Sequence, residues 1–144
     1  MKVGDLMTKQ VISVDPEETV EFAARTLAHY NLGILPVCHR DGKLCGLVTD
    51  RDLVTRCMAS GRQPSQTRIR EVMSTRLTAV TPDTGIAAAA ELMGSQQVRR
   101  LPVVEQGKLR GMLSLGDLSR NRENAEKAAL VLQEISRNPA GKQR

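Results

Sequence analysis

Two short segments of the sequence carry side chains that could bind a polar ligand, and they follow one pattern. In each, a hydroxyl residue precedes an aspartate by three positions, which gives the pairs Thr49 with Asp52 and Ser114 with Asp117. A carboxylate can accept hydrogen bonds from both hydroxyls of a ribose, as acids do in nucleotide sites. Free backbone N–H groups at a helix start can bind phosphate. The pattern therefore points to nucleotide chemistry.

The same spacing has a structural interpretation. A Thr or Ser three residues before an acid at a helix start forms a capping box, in which each side chain accepts a hydrogen bond from the other residue's backbone N–H. On that interpretation the two pairs stabilise helix starts and bind no ligand. The spacing alone leaves both interpretations open.

The pattern occurs twice because the chain is a tandem repeat. Leu-Pro-Val at 35–37 reappears at 101–103, and further matches follow in the same order with one single-residue gap. Ordered matches of this kind indicate a duplication. We assign the first repeat to 1–60, a linker to 61–67, the second repeat to 68–121, and a C-terminal helix and tail to 122–144.

Each repeat is predicted to run strand, helix, strand, turn, strand, helix. The segments 11–14 and 77–80 are predicted to be extended, and Asp15-Pro16-Glu17-Glu18 is predicted to open a helix, with Asp15 as its N-cap. Asp41-Gly42 is typical of a hairpin turn. One repeat alone leaves a face of its sheet bare, so the two halves are expected to pack into one pseudo-twofold unit.

The composition of the chain argues against several classes of function. Aromatic residues are 1% of the 144 residues, which argues against modules that stack nucleic-acid bases on aromatic rings. No apolar stretch is long enough to span a membrane, and no secretory signal is visible, so a cytoplasmic protein is expected. The net charge of +5 leaves anionic ligands and nucleic acid open as partners, with nucleic acid the less favoured.

Metal binding and catalysis are also disfavoured. The spacing of the three cysteines matches no zinc pattern, so they are expected to be small apolar residues in a reducing cytosol. His29 and His39 stand in no recognisable catalytic motif. We therefore expect no enzyme activity, no metal and no required cofactor.

The two halves resemble CBS domains (the cystathionine-β-synthase-type repeat), and the pair resembles a Bateman module. The resemblance rests on an apolar-Met-hydroxyl opening, the Leu-Pro-Val strand, a glycine-containing hairpin and the hydroxyl-x-x-Asp helix start, and it covers about 3–58 and 69–121. It implies an α/β (α+β) fold of two β-α-β-β-α repeats, packed through their sheets with pseudo-twofold symmetry. A C-terminal helix is expected after them.

The resemblance also implies a ligand site in each repeat. The two aspartates correspond to the family's ribose-binding acids, and the hydroxyl residues three positions before them correspond to the family's hydroxyl residues. In that family the residue before Leu-Pro often faces the ligand phosphates. Arg100 takes that place in the second repeat with Arg99 beside it, whereas the first repeat has Gly33-Ile34 and no cation. The implied ligand-binding residues are Thr8, Leu35, Pro36, Thr49, Asp52, Thr75, Arg99, Arg100, Leu101, Pro102, Ser114 and Asp117.

The function implied by the resemblance is a non-catalytic regulatory module. It would sense an adenosine-containing ligand, such as AMP, ADP, ATP, S-adenosylmethionine or NAD, in clefts between the repeats. Binding would change the geometry of the module or of a homodimer and so act on an unidentified regulated protein. The alternative is a ligand-free scaffold for dimerisation or protein interaction, in which the polar motifs only cap helices.

Overall fold

A two-stranded antiparallel hairpin lies in each repeat. The computed structural model describes residues 1–137; the first hairpin joins β1 (Ile34–Cys38) to β2 (Leu44–Thr49), and the second joins β3 (Arg100–Glu105) to β4 (Lys108–Ser114). The second turn has two consecutive residues with positive φ, Gln106 at 53° and Gly107 at 80°. This geometry matches the twist of the paired strands. The predicted hairpins are confirmed.

Six α-helical segments accompany the hairpins within residues 1–137. The second helix of the first repeat starts after Thr49 as expected, but it changes to π-helix from Leu53 to Met58. Among residues 1–137, no helix combines the length and the apolar character that crossing a bilayer would need. The α-helices are α1 (Val3–Leu6), α2 (Val20–Tyr30), α3 (Asp50–Asp52), α4 (Ile86–Gln96), α5 (Leu115–Arg120) and α6 (Ala125–Ser136).

The predicted start of the first long helix is wrong by about one turn. The Asp15 carboxylate accepts a hydrogen bond from the Glu17 N–H at 2.8 Å, which makes a turn, and the helix begins at Val20 with Thr19 as its N-cap. The carbonyls of Pro16 and Glu18 accept hydrogen bonds from the 69–70 backbone, at 3.0 and 2.8 Å. These residues form a turn and not a helix because the 69–70 backbone occupies the carbonyls that helical hydrogen bonds would need.

The segments predicted as first strands are also shorter than expected. Only Val14 and Val80 make ladder-type pairs, each with the strand that carries Leu-Pro-Val. Residues 11–13 and 77–79 form no strand. Each predicted first strand is therefore reduced to one bridge position.

The chain divides into two compact units that cut across the sequence repeats. One unit contains Met1–Val11, Thr78–Glu105 and the described residues from Arg110 onward, and the other contains Ile12–Leu77 and Gln106–Leu109. Each has its own apolar core, centred on Leu101, Leu113 and Met93 in the first and on Leu35, Val48 and Ile69 in the second. Neither sequence repeat therefore contains all the segments of one unit.

The reason for this division is that each hairpin is completed by a segment from the other repeat. We call residues 3–8 and 69–74 the opening segments. Thr8 and Met112 exchange backbone hydrogen bonds of 2.9 and 3.0 Å, and Leu47 and Ser74 exchange bonds of 3.0 and 2.8 Å. Each opening segment thus extends a two-stranded sheet along its otherwise unpaired edge.

The predicted linker contains a short helical turn, and the described part of the predicted C-terminal region is helical. Residues 64–66 form a 3-10 turn, and Thr67 is buried, with its hydroxyl donating to the Gln63 carbonyl at 2.8 Å. After a 3-10 turn at Arg122–Asn124, α6 packs against α4 and α5 and buries Ala128 and Val131. Residues 138–144, the rest of the expected tail, lie outside the described residues.

A glycine in β4 permits the close approach of the opening segment. A Cβ built at Gly111 would lie 2.5 Å from the Thr8 carbonyl oxygen. Real contacts of this kind are longer, so a side chain here would push the two backbones apart and weaken their pairing. The equivalent Gly46 faces the Met73 side chain and the Ser74 carbonyl in the same way.

We predict that Gly111→Ser lowers the free energy of unfolding by about 1–3 kcal/mol, as overpacking of a buried contact does. Urea denaturation measures the change. Gly85→Ser is the control, because a Cβ at Gly85 meets no atom within 4 Å and Ser is a favourable N-cap for α4. Equal stability of the two variants would contradict the close-approach argument.

Candidate functional site

Both hydroxyl-Asp pairs form complete capping boxes. In the second repeat the Asp117 N–H donates to Ser114 Oγ at 3.0 Å, and the Ser114 N–H donates to Asp117 Oδ2 at 2.9 Å. Thr49 and Asp52 make the same two bonds at 3.1 and 2.9 Å. One oxygen of each carboxylate therefore takes part in a capping box, as the structural interpretation predicts.

The second carboxylate oxygen of each aspartate faces an arginine one turn further along the helix. Arg120 donates to Asp117 Oδ1 at 2.6 Å, and Arg56 lies 3.7 Å from Asp52 Oδ1. The Asp117 side chain is 7% exposed, whereas that of Arg120 is 73% exposed. In this structure Arg120 covers the acid from the solvent side.

A cavity of about 610 Å³ lies beside this capping box, within one compact unit. Arg99 and Arg100 border it from the start of β3, and Arg120 borders it from the end of α5. We call it the arginine cavity. Its remaining lining residues come from the α5 region and α6: Ser114, Leu115, Gly116, Ser119, Ala125, Ala128, Ala129 and Leu132.

The arginine cavity carries a concentration of positive charge. Arg99 and Arg100 make no ion pair with any carboxylate in residues 1–137, and Arg120 is paired only with Asp117. A Cβ at Gly116 would lie 3.2 Å from an Arg120 guanidinium nitrogen, so a side chain there would require the guanidinium to shift. Three guanidinium groups around one cavity suit an anionic ligand with several oxygens.

The sequence-predicted site residues are only partly brought together. Arg99, Arg100 and Ser114 border the arginine cavity, and Thr8 is exposed and pairs with Met112, two residues before Ser114. Asp117 is buried beside the cavity under Arg120. The Leu-Pro residues of both repeats are buried, and the two leucines belong to the cores: Leu35, Pro36, Leu101 and Pro102.

The corresponding place in the first repeat lacks the two arginines and has a carboxylate nearby. The Asp50 N–H donates to the Gly33 carbonyl at 3.1 Å, and a Cβ at Gly33 would lie 3.7 Å from Asp50 Oδ2. In the second repeat Leu115 makes the equivalent bond to the Arg99 carbonyl at 2.8 Å. Gly33 thus stands in the place of Arg99, and Asp50 stands in the place of Leu115. Thr75, also expected to bind ligand, is exposed and directly follows the paired Ser74.

The three cysteines are free thiols; Cys38 and Cys57 are buried and Cys45 is half-buried. Burial raises the pKa of the Cys38 thiol, and the neighbouring Cys45 acts in the same direction; burial and Asp15 raise the pKa of Cys45. Thiols with raised pKa values stay mostly protonated at neutral pH. Residues 1–137 contain no group of three or more His, Cys, Asp or Glu side chains suited to hold a metal ion.

Comparison with known proteins identifies the class to which this fold and these repeated helix starts belong. The model of the CBS domain matches residues 3–59 and again residues 69–124. The chain therefore belongs to the CBS domain family and carries two copies of the domain. It has the mixed α+β architecture of that family, with a small antiparallel sheet in each repeat and an additional C-terminal helix.

Individual relatives and solved structures agree with this assignment. The chain is 42% identical over 134 residues to the CBS domain-containing protein YhcV of Bacillus subtilis, covering 93% of this chain and 94% of the relative. The structure of Hypoxic Response Protein I with two coordinated zinc ions has a TM-score of 0.78 at 30% identity, covering 84% of this chain and 98% of that one. The CBS domain pair of MJ0100, solved with 5′-methylthioadenosine and S-adenosyl-L-methionine, has a TM-score of 0.72 at 25% identity, covering 83% and 94%.

Two features of the cavity were missed by sequence reasoning. The pairing of Asp117 with Arg120 could have been found from the spacing, because residues three or four apart meet on a helix surface. The contribution of α6 had no such signal. Ala125, Ala129 and Leu132 have the helical spacing expected of any packed face, and only the tertiary structure shows that this face borders a cavity.

We predict that Ser114→Ala lowers the free energy of unfolding by about 1 kcal/mol, because the Asp117 N–H loses its capping partner. Chemical denaturation measures the change. Ser119→Ala is the matched control, since its exposed hydroxyl only donates to the Gly116 carbonyl within the same helix. A loss no greater than that of the control would show that the capping box contributes nothing to stability.

Proposed function

We propose that this CBS domain pair is a non-catalytic module that senses an adenosine-containing ligand, and that the arginine cavity binds the phosphates of that ligand. The observation that carries the proposal is the convergence of Arg99, Arg100 and Arg120 on one cavity of about 610 Å³. Guanidinium groups bind phosphate oxygens in bidentate geometry. The volume is within the range of small-molecule sites. The adenosyl ligands of the MJ0100 pair support the ligand class.

The acid and the arginine would exchange partners when the ligand binds. Arg120 is mostly exposed and is held by Asp117 Oδ1, so its guanidinium can turn towards a phosphate. Asp117 Oδ1 would then accept a hydrogen bond from a ribose hydroxyl, while Oδ2 keeps its capping bond to the Ser114 N–H. The helix start would thus stay capped in the free and in the bound state.

The proposed output is a change in the geometry of the module or of a homodimer. A ligand shifts such an equilibrium only through its different affinities for the two states; a 100-fold preference supplies about 2.7 kcal/mol. Exposed Val54 and Met58, one helical turn apart, offer an apolar contact for the homodimer. The three free thiols favour a reducing compartment such as the cytoplasm. No cofactor is required for this function.

We predict that Arg100→Ala weakens ADP binding by about ten-fold or more while it changes the binding of uncharged adenosine little, because only ADP presents phosphates to the cavity. Isothermal titration with AMP, ADP, ATP, S-adenosylmethionine and NAD identifies the preferred ligand. Arg110→Ala is the control, since Arg110 is on the same hairpin but pairs with Glu105 at 3.4 Å and does not line the cavity. ADP affinity unchanged by Arg100→Ala would contradict the proposed phosphate site.

A second candidate function is the ligand-free scaffold. It is favoured by the capping geometry, because each aspartate already accepts a backbone N–H and faces an arginine without any ligand. This candidate requires that none of the adenosine ligands changes the melting temperature or gives a binding isotherm. A saturable isotherm that Arg100→Ala weakens would exclude it.

A further inference from the structure

The C-terminal helix forms one wall of the arginine cavity. The family match ends at residue 124, and α6 begins at Ala125. Ala125, Ala128, Ala129 and Leu132 all line the cavity. Their spacing of three and four positions places them on one face of the helix. This wall is therefore supplied by a part of the chain outside both CBS matches.

The two sides of the cavity differ in chemistry. The α6 side is aliphatic, with Ala129 exposed and Leu132 46% exposed, whereas Arg99, Arg100 and Arg120 give the other side its positive charge. A ligand that fits both sides has an anionic part and an apolar, flat part. The small alanine side chains leave space for such a group against the helix.

We propose that α6 is the apolar half of the ligand site and contacts the base of the nucleotide whose phosphates the arginines bind. This inference rests on the proposed function, and it adds Ala125, Ala129 and Leu132 to the ligand-contacting residues. The base would bury aliphatic surface that is now open to solvent, at about 25 cal/mol for each Å² removed from water. The lining of the cavity contains no aromatic ring, so aliphatic contact takes the place of stacking.

Ligand binding and α6 docking would be linked as a consequence. The helix is held on its other side by buried Val131 and by Gln97, whose side-chain nitrogen donates to the Glu134 carbonyl at 3.1 Å. A nucleotide that contacts both α6 and the arginines of the hairpin would add a further attachment. By reciprocity, a docked α6 tightens nucleotide binding by the same factor by which the nucleotide tightens α6 docking.

The test compares two leucine substitutions on α6 in the full chain, with ADP as the probe. Ala129→Leu fills the cavity and is expected to weaken ADP binding by about ten-fold or more. Gln133→Leu is the matched control, because Gln133 is exposed on the same helix and does not line the cavity. Leucine is a good helix former and both positions are exposed, so both variants are expected to keep their fold.

Amide hydrogen exchange supplies the second measurement on the unmodified chain. Saturating ADP is expected to slow the exchange of the Ala125–Ser136 amides by the factor that the ligand concentration and its dissociation constant define, while α2 in the other unit exchanges unchanged. If ADP binds but Ala129→Leu keeps its affinity, or if ADP leaves α6 exchange unchanged, this inference is overturned and the proposed function stands. If the unmodified chain binds none of the adenosine ligands, the proposed function fails and this inference falls with it.

Discussion

The structure depends on the pairing of each hairpin with a segment from the other sequence repeat. Two strands alone make a marginal sheet with an open edge. Residues 3–8 and 69–74 close these edges, at Met112 and at Leu47, through reciprocal backbone hydrogen bonds. The glycines at 46 and 111 let the backbones approach closely. Because each hairpin pairs with the opening segment of the other repeat, this arrangement needs both copies of the repeat.

The capping boxes and the proposed ligand site use the same residues without conflict. A carboxylate has two oxygens, and the helix start needs only one of them. The other faces a cation from the next turn, Arg120 in one repeat and Arg56 in the other. Structural and ligand-binding interpretations of a hydroxyl-x-x-Asp motif are therefore compatible, since the arginine can be displaced while the cap remains intact.

The two repeats have diverged in charge at equivalent places. The second repeat combines Arg99 and Arg100 with a neutral helix start at Leu115, whereas the first has Gly33 next to the Asp50 carboxylate. A carboxylate repels an anionic ligand, so the phosphate binding proposed for the second repeat does not extend to the first. The additional helix α6 strengthens this difference, because it supplies an apolar wall beside the arginines alone.

Local sequence signals are sufficient to predict the duplication, the hairpins, the helix starts at Thr49 and Ser114, and the α+β class, because turn glycines, capping spacings and apolar periodicity act over a few residues. The start of α2 depends on long-range contacts, since the carbonyls of Pro16 and Glu18 accept hydrogen bonds from a segment about 50 residues away. The tertiary structure also decides that Leu35 and Leu101 belong to the cores and that α6 borders the arginine cavity. Those outcomes depend on which surfaces meet across long separations in the chain, and local spacing carries no record of that.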